Sequence, residues 1–106
     1  MLHALKQERI YFAAVLDGRK TFEVRNNDRQ FMVGDLIALN EYDAEDRAYT
    51  GRSIVCRIDY ILNDSTYVKE GYVVLGIKPC CVAETDMPQL ATHSPCREVG
   101  KEIAKC

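Results

Sequence analysis

The stretch that decides the fold is Gly18-Arg19-Lys20-Thr21-Phe22-Glu23-Val24-Arg25. It follows a run with helical spacing and sets five polar side chains around a short alternating core. A strand sends successive side chains to opposite faces. Phe22 and Val24 are therefore expected on one face, as its apolar side, and Thr21, Glu23 and Arg25 on the other. A carboxylate and a guanidinium then project side by side from the sheet. Lys20 comes where the chain is still leaving the Gly18 turn, so its side chain can curl toward either face. Three charged groups of mixed sign beside a turn make a small polar site. The plain alternative is a solvated strand face, since single exposed charges are ordinary.

Upstream, Glu8 to Asp17 reads as a helix. Phe12, Val15 and Leu16 share a face with Ile10 nearby, and Ala13 and Ala14 favour helix. Glu8 suits the positive end of the helix dipole. Gly18 stands where a left-handed residue would end the helix, which fixes where Lys20 begins its reach. Before the helix, Met1 to Gln7 reads as a first strand ending near Lys6, with Leu2 and Ala4 set against His3 and Lys6. His3 is read as structural or solvated.

Downstream, Asn26 to Gln30 is a polar turn. It would sit at the mouth of the site, with Arg29 as a positive tip. The turn Val33-Gly34-Asp35 leads into a strand from Leu36 to Tyr42 that is apolar on both faces at its start, as suits a barrel wall with a helix outside it. Asp43 to Thr50 is an acidic hairpin connection. Ser53 to Leu62 alternates, with Ile54, Cys56, Ile58 and Tyr60 expected inward and Arg57 and Asp59 outward. Asn63 to Gly71 is a loop carrying Tyr67, an aromatic that could stack on a base, and Glu70. Tyr72 to Ile77 is the last expected strand. After Pro79 the periodicity fades, and a mobile or loosely docked tail is expected, with one or two helical turns between Arg97 and Lys105.

Read as G-x-K-x-x-E-x-R, the segment resembles the signature of the ASCH domains, small β-barrels related to the RNA-binding PUA domains. The order of helix, signature strand, Val33-Gly34-Asp35 turn and closing Glu70-Gly71-Tyr72-Val73-Val74-Leu75-Gly76 strand is similar to compact bacterial and phage members, over about residues 3 to 78. The resemblance implies a mainly β (α+β) fold. This would be a PUA-like/ASCH small β-barrel of five to six strands with one main helix over residues 1–79, followed by a flexible C-terminal tail, residues 80–106. It implies that RNA or a nucleotide-like small molecule binds in a cleft lined by Lys20, Glu23 and Arg25. Thr21, Asn26, Arg29, Tyr67 and Glu70 would complete the ligand contacts.

Some ASCH relatives hydrolyse acylated cytidine and others are described as ribonucleases, so catalysis by Lys20 and Glu23 is the alternative. A lysine brought close to Arg25 and partly desolvated could act as base or nucleophile, and Glu23 could shuttle protons. In the amidohydrolase type, a threonine stands where this chain has Glu23. That type also takes a glutamate from a helical insert, for which Glu70 is the sole stand-in here. A third reading is a protein-interaction module, such as a phage-encoded inhibitor, that uses the acidic 43–46 hairpin.

The whole chain sets wide bounds. With 106 residues it is one domain. Its formal charge of −2 leaves no global footprint for duplex nucleic acid, although a short anionic ligand can bind locally. No run of about twenty apolar residues is present to span a bilayer, and the N-terminus lacks the build of a secretory signal. Five cysteines, an odd number, do not suggest a secreted disulfide framework, so a cytoplasmic protein with reduced thiols is expected. Cys80, Cys81, His93 and Cys96 lack C-x-x-C spacing, and adjacent cysteines chelate one metal awkwardly. No metal and no cofactor are expected.

Overall fold

The computed structural model describes residues 1–84 and 101–102. In chain order the elements are β1 (Leu2–Glu8), α1 (Arg9–Leu16), β2 (Phe22–Asn26), β3 (Leu36–Asp43), β4 (Ala48–Leu62), β5 (Tyr72–Glu84) and β6 (Lys101–Glu102). The strands form one sheet in the order β1-β3-β4-β5-β2, with β6 added to β5. β1 and β3 run parallel, and the other pairs are antiparallel. The architecture is mainly β: a half-barrel of five strands with one short helix. β1 and β2 are its two edges, and the seam between them stays open.

The helix forms where the apolar spacing requires it. Phe12 and Val15 are fully buried, and Leu16 packs against the same core. That core joins Leu5, Ile37, Leu39, Ile54, Ile58, Val73, Leu75 and Ile77 from four strands. Truncating a buried phenylalanine such as Phe12 costs about 3–5 kcal/mol, so α1 is held chiefly by this face. Gly18 ends the helix at φ +85°, and its N–H donates to Val15 O at 3.2 Å while Lys20 N donates to Ala14 O at 2.9 Å. These bonds turn the chain back along α1 and into β2.

Three expectations change. The inward set of β1 is His3, Leu5 and Gln7 rather than Leu2 and Ala4. His3 is accommodated because its Nε2 lies 2.8 Å from Asp35 Oδ2 and its ring packs edge-on to Phe31 at 4.8 Å. Tyr60 is 63% exposed rather than inward. Ile58 pairs with Ile77 and Tyr60 with Gly76, so Asp59 is an extra residue that turns the strand's faces over. β5 continues through Pro79 to Glu84, past the expected boundary at residue 79. A second irregularity permits this. Val55 pairs with Cys81 and Cys56 with Pro79, so the missing N–H of proline falls beside a bulge at Cys80.

Cys56 is a free, buried thiol, whereas Cys80 and Cys81 are disulfide-bonded. The expectation of reduced thiols thus holds among the described residues for Cys56 alone. An odd cysteine count does not decide which thiols meet in space. His93, Cys96 and the expected tail helix lie outside the described residues. No helix among the described residues is long and apolar enough to cross a membrane.

Candidate functional site in the open seam

The geometry begins with the register of β2. Ile77 N donates to Thr21 O at 3.0 Å, and Asn27 N donates to Gly71 O at 2.9 Å. In an antiparallel pair this alternation turns the backbone groups of Glu23 and Arg25 toward β5 and those of Phe22, Val24 and Asn26 toward the open edge. The side chains of Phe22 to Arg25 alternate as expected, and the inward face is the polar one. Glu23 is buried at 2% exposure, while Phe22 and Val24 are 45% and 54% exposed. The reason is the seam: with no neighbouring strand to pack against, the inward face of β2 carries polar groups long enough to reach across to β1.

Glu23 is the hub. The Lys20 ammonium contacts Glu23 Oε1 and donates to the edge carbonyl Phe22 O at 2.8 Å. Arg25 sets Nε and Nη2 each 3.0 Å from Glu23 Oε2, and Nη2 also donates to Lys6 O on β1 at 2.8 Å. With its amide oriented to satisfy both partners, Gln7 donates to Oε1 at 2.6 Å and lies 3.1 Å from Oε2. Both carboxylate oxygens are thus saturated by donors from β1, the α1–β2 turn and β2, and the network latches the two edges together. Hydrogen bonds to charged groups contribute about 1.5–3 kcal/mol each. The charge also reaches the core. Burial pushes the Cys56 thiol up to about 12, with the Glu23 carboxylate adding to the shift and Lys20 opposing it.

A cavity of about 740 Å³ lies over this latch, between the end of β1, α1 and β2. Lys20, Glu23 and Arg25 line its depth, and Tyr11 and Phe22 stand at its sides. Lys20 Nζ is 6.0 Å from the Tyr11 ring centroid and 5.2 Å from that of Phe22. Four cations (Lys6, Arg19, Lys20, Arg25) line it against two carboxylates (Glu8, Glu23), so it is locally positive in an acidic chain. One Lys20 N–H and Arg25 Nη1 have no hydrogen-bond partner among the described residues. The site offers hydrogen-bond donors between two aromatic rings.

Of the residues expected from sequence, Lys20, Glu23 and Arg25 are brought together. Thr21, Asn26, Arg29, Tyr67 and Glu70 do not line this cavity. Thr21 is exposed and contributes its backbone carbonyl to β5. Asn26 follows Phe22 and Val24 onto the outer face of β2. The Asn27–Gly71 bond sets the 63–71 loop at the far end of β2, where Tyr67 and Glu70 are exposed, as is Arg29. Sequence reasoning missed Gln7, Tyr11 and Phe22. The one signal for Gln7 was its parity with Leu5 on β1, and Tyr11 needed the tertiary docking of α1, which packs on β3 and β1.

The acidic hairpin is partly committed to its own turn. Asp43 accepts from Glu45 N at 2.9 Å, Asp46 N at 3.2 Å and Arg9 Nη1 at 2.9 Å. These bonds, the one from Asp46 foremost, hold its carboxyl below the usual range. Beside it, Glu41 accepts from Thr50 Oγ1 at 2.6 Å and from Arg52 Nε and Nη2 at 3.0 and 3.1 Å. Burial alone would raise this carboxyl, but the Arg52 and Thr50 bonds outweigh it and hold it low.

The chain matches a family described as Domain of unknown function (DUF3850) over residues 2–77. It is also similar to the "Uncharacterized 12.9 kDa protein in GpA 3'region" of Escherichia phage P2, with 35% identity over 74 residues, or 70% of this chain. The match spans 65% of the phage protein's length. The seam, the latch and α1 all fall inside residues 2–77, and the chain belongs to the DUF3850 family.

Proposed function

We propose that this DUF3850 chain is an ASCH-like, PUA-like domain that recognises RNA or a nucleotide-type ligand in the seam cleft. The observation that carries the reading is the pairing of Lys20 and Arg25 on a buried Glu23 beneath two half-exposed rings. The donors suit a phosphate or base carbonyl oxygen. Tyr11 and Phe22 suit the face of a base. Glu23 has both oxygens occupied, so it acts as a positioning residue that aims the two cations and keeps them from binding anions indiscriminately. The resemblance of the Gly18–Arg25 segment to the ASCH signature supports the same assignment.

Hydrolysis of a modified nucleoside or of RNA in this cleft is the alternative. Lys20 is engaged as a donor to two acceptors, which favours binding over use of its lone pair. Calorimetric titration with the four ribonucleoside monophosphates and acylated cytidine tests the reading, each mixture being analysed for product after overnight incubation. Binding of at least one ligand, weakened about tenfold or more by Lys20→Ala, is expected from the loss of a charged hydrogen bond. Equal affinity of wild type and Lys20→Ala for every ligand would remove the assignment. Product in the mixture would move the protein to the enzyme class.

A further inference from the structure

The outer face of the sheet carries a second arrangement, which shares Phe22 with the cleft. Residues directly paired across strands share a face. The register therefore sets Phe22 of β2, Gly76 of β5 and Tyr60 of β4 in one row, with Phe22 half-exposed and Tyr60 more so. The next row along β5 pairs Lys78 with Arg57. Both cations are exposed, and neither has an ion pair or side-chain hydrogen bond among the described residues. Like charges directly opposite one another destabilise a sheet, and an anion between them relieves that repulsion. The two rows lie about 7 Å apart along β5, and the two rings are two strand spacings, about 10 Å, from each other.

Gly76 shapes the space between the rings. A Cβ built there would lie 2.8 Å from Asp59 Oδ1 and 3.3 Å from Tyr60 Cβ. Glycine leaves room here for the Asp59 carboxylate, which the β4 bulge brings onto this row, and a larger residue would push that carboxylate aside. The row therefore reads ring, acceptor, ring, with two uncompensated cations beside it. A carboxylate accepts from base amino groups, exposed rings stack on bases, and cations hold phosphates.

We propose that the outer face of β4, β5 and β2 is a platform for single-stranded nucleic acid. Phe22 and Tyr60 stack bases, Asp59 accepts from a base amino group, and Arg57 and Lys78 hold a phosphate. This extends the cleft reading from a single nucleotide to a strand, because Phe22 belongs to both the platform and the cleft rim. A second copy of this chain fits the face poorly, since a two-fold contact presents the same patch on both sides and so sets four cations against the two Asp59 carboxylates.

Fluorescence anisotropy with labelled RNA and DNA hexamers of one mixed sequence, over a series of salt concentrations, tests the platform. Tyr60→Ala is expected to weaken hexamer binding by about fivefold or more. The Arg57→Gln/Lys78→Gln double variant is expected to flatten the dependence of log K on log salt by about 0.7 per cation removed. Neither change should alter mononucleotide binding in the cleft, whereas Tyr11→Ala, on the far wall of the cleft, should reduce it. Hexamer affinity and salt slope unchanged in the platform variants would overturn the platform and leave the cleft standing. Platform variants that lose hexamers in a protein that binds no mononucleotide would support the platform and sink the cleft. A concentration-dependent dimer, by sedimentation, that Tyr60→Ala dissolves and that binds no hexamer would overturn the proposal in favour of self-association.

Discussion

Replacing Glu23 with alanine tests the latch. The substitution removes the only carboxylate among the described residues that is paired with Lys20 and Arg25, whose side chains are 15% and 23% exposed. Removing one partner of a fully buried pair costs about 3–5 kcal/mol, because a charge is left without compensation. Here both cations can swing partly into water, so about 2–4 kcal/mol is the expected loss. For a domain of this size that corresponds to a fall in Tm of roughly 8–30 °C. Urea unfolding followed by far-ultraviolet circular dichroism gives the number directly, with m checked for constancy. Thr21→Ala, exposed and next to the latch, should stay within about 0.5 kcal/mol of wild type. Glu23→Ala on an Arg25→Met background should cost less than on wild type, since one of the orphaned charges is already gone. A Glu23→Ala protein as stable as Thr21→Ala would refute the view that the carboxylate holds the seam.

Glu41 sets part of the acid response. Its folded carboxyl titrates below the ordinary 4.5, so its contribution is fully present above that value and is lost as pH falls through the lower, folded one. Asp35, held low first by its hydrogen bond to His3, acts in the same direction. Urea midpoints measured from pH 6 to pH 3 should therefore fall more steeply for wild type than for Glu41→Gln, and parallel profiles would remove Glu41 from the acid response. The Cys56 thiol, pushed up to about 12 by burial, should resist iodoacetamide in the folded protein at pH 8 and react only on unfolding. Peptide mapping that finds native Cys56 alkylated at the free-thiol rate would contradict this. Gly18→Ala meets no steric obstacle but must hold φ near +85°, so a loss of about 1 kcal/mol is expected. An unchanged urea midpoint would show that the helix stop does not need glycine.

The helix and the strand order of events were legible because apolar spacing changes period at Gly18 and the turns carry their own punctuation. The orientation of β2 was not. Phe22 and Val24 have the look of a core face, and alternation alone says which residues share a side but not which side is inside. The missing fact is non-local: β2 is an edge facing an open seam, so its polar side turns inward to meet Gln7 and the Lys6 carbonyl. Tyr60 and the end of β5 failed for a different reason. A single extra residue, Asp59 in β4 and Cys80 in β5, resets the faces or shelters a proline, and neither bulge has a sequence signature of its own. Lys20, Glu23 and Arg25 were readable as a group because they lie within six residues. Tyr11 and Gln7 join them only through tertiary docking.

The most direct test of the nucleotide reading is an amide chemical-shift titration of the labelled protein at low salt with the ribonucleoside monophosphates. Shifts concentrated on residues 6–11 and 20–25, saturating with ligand and lost in Lys20→Ala, are the expected result. Saturable shifts that avoid the seam, or a flat titration with all four nucleotides, would contradict the assignment of the cleft as a nucleotide site.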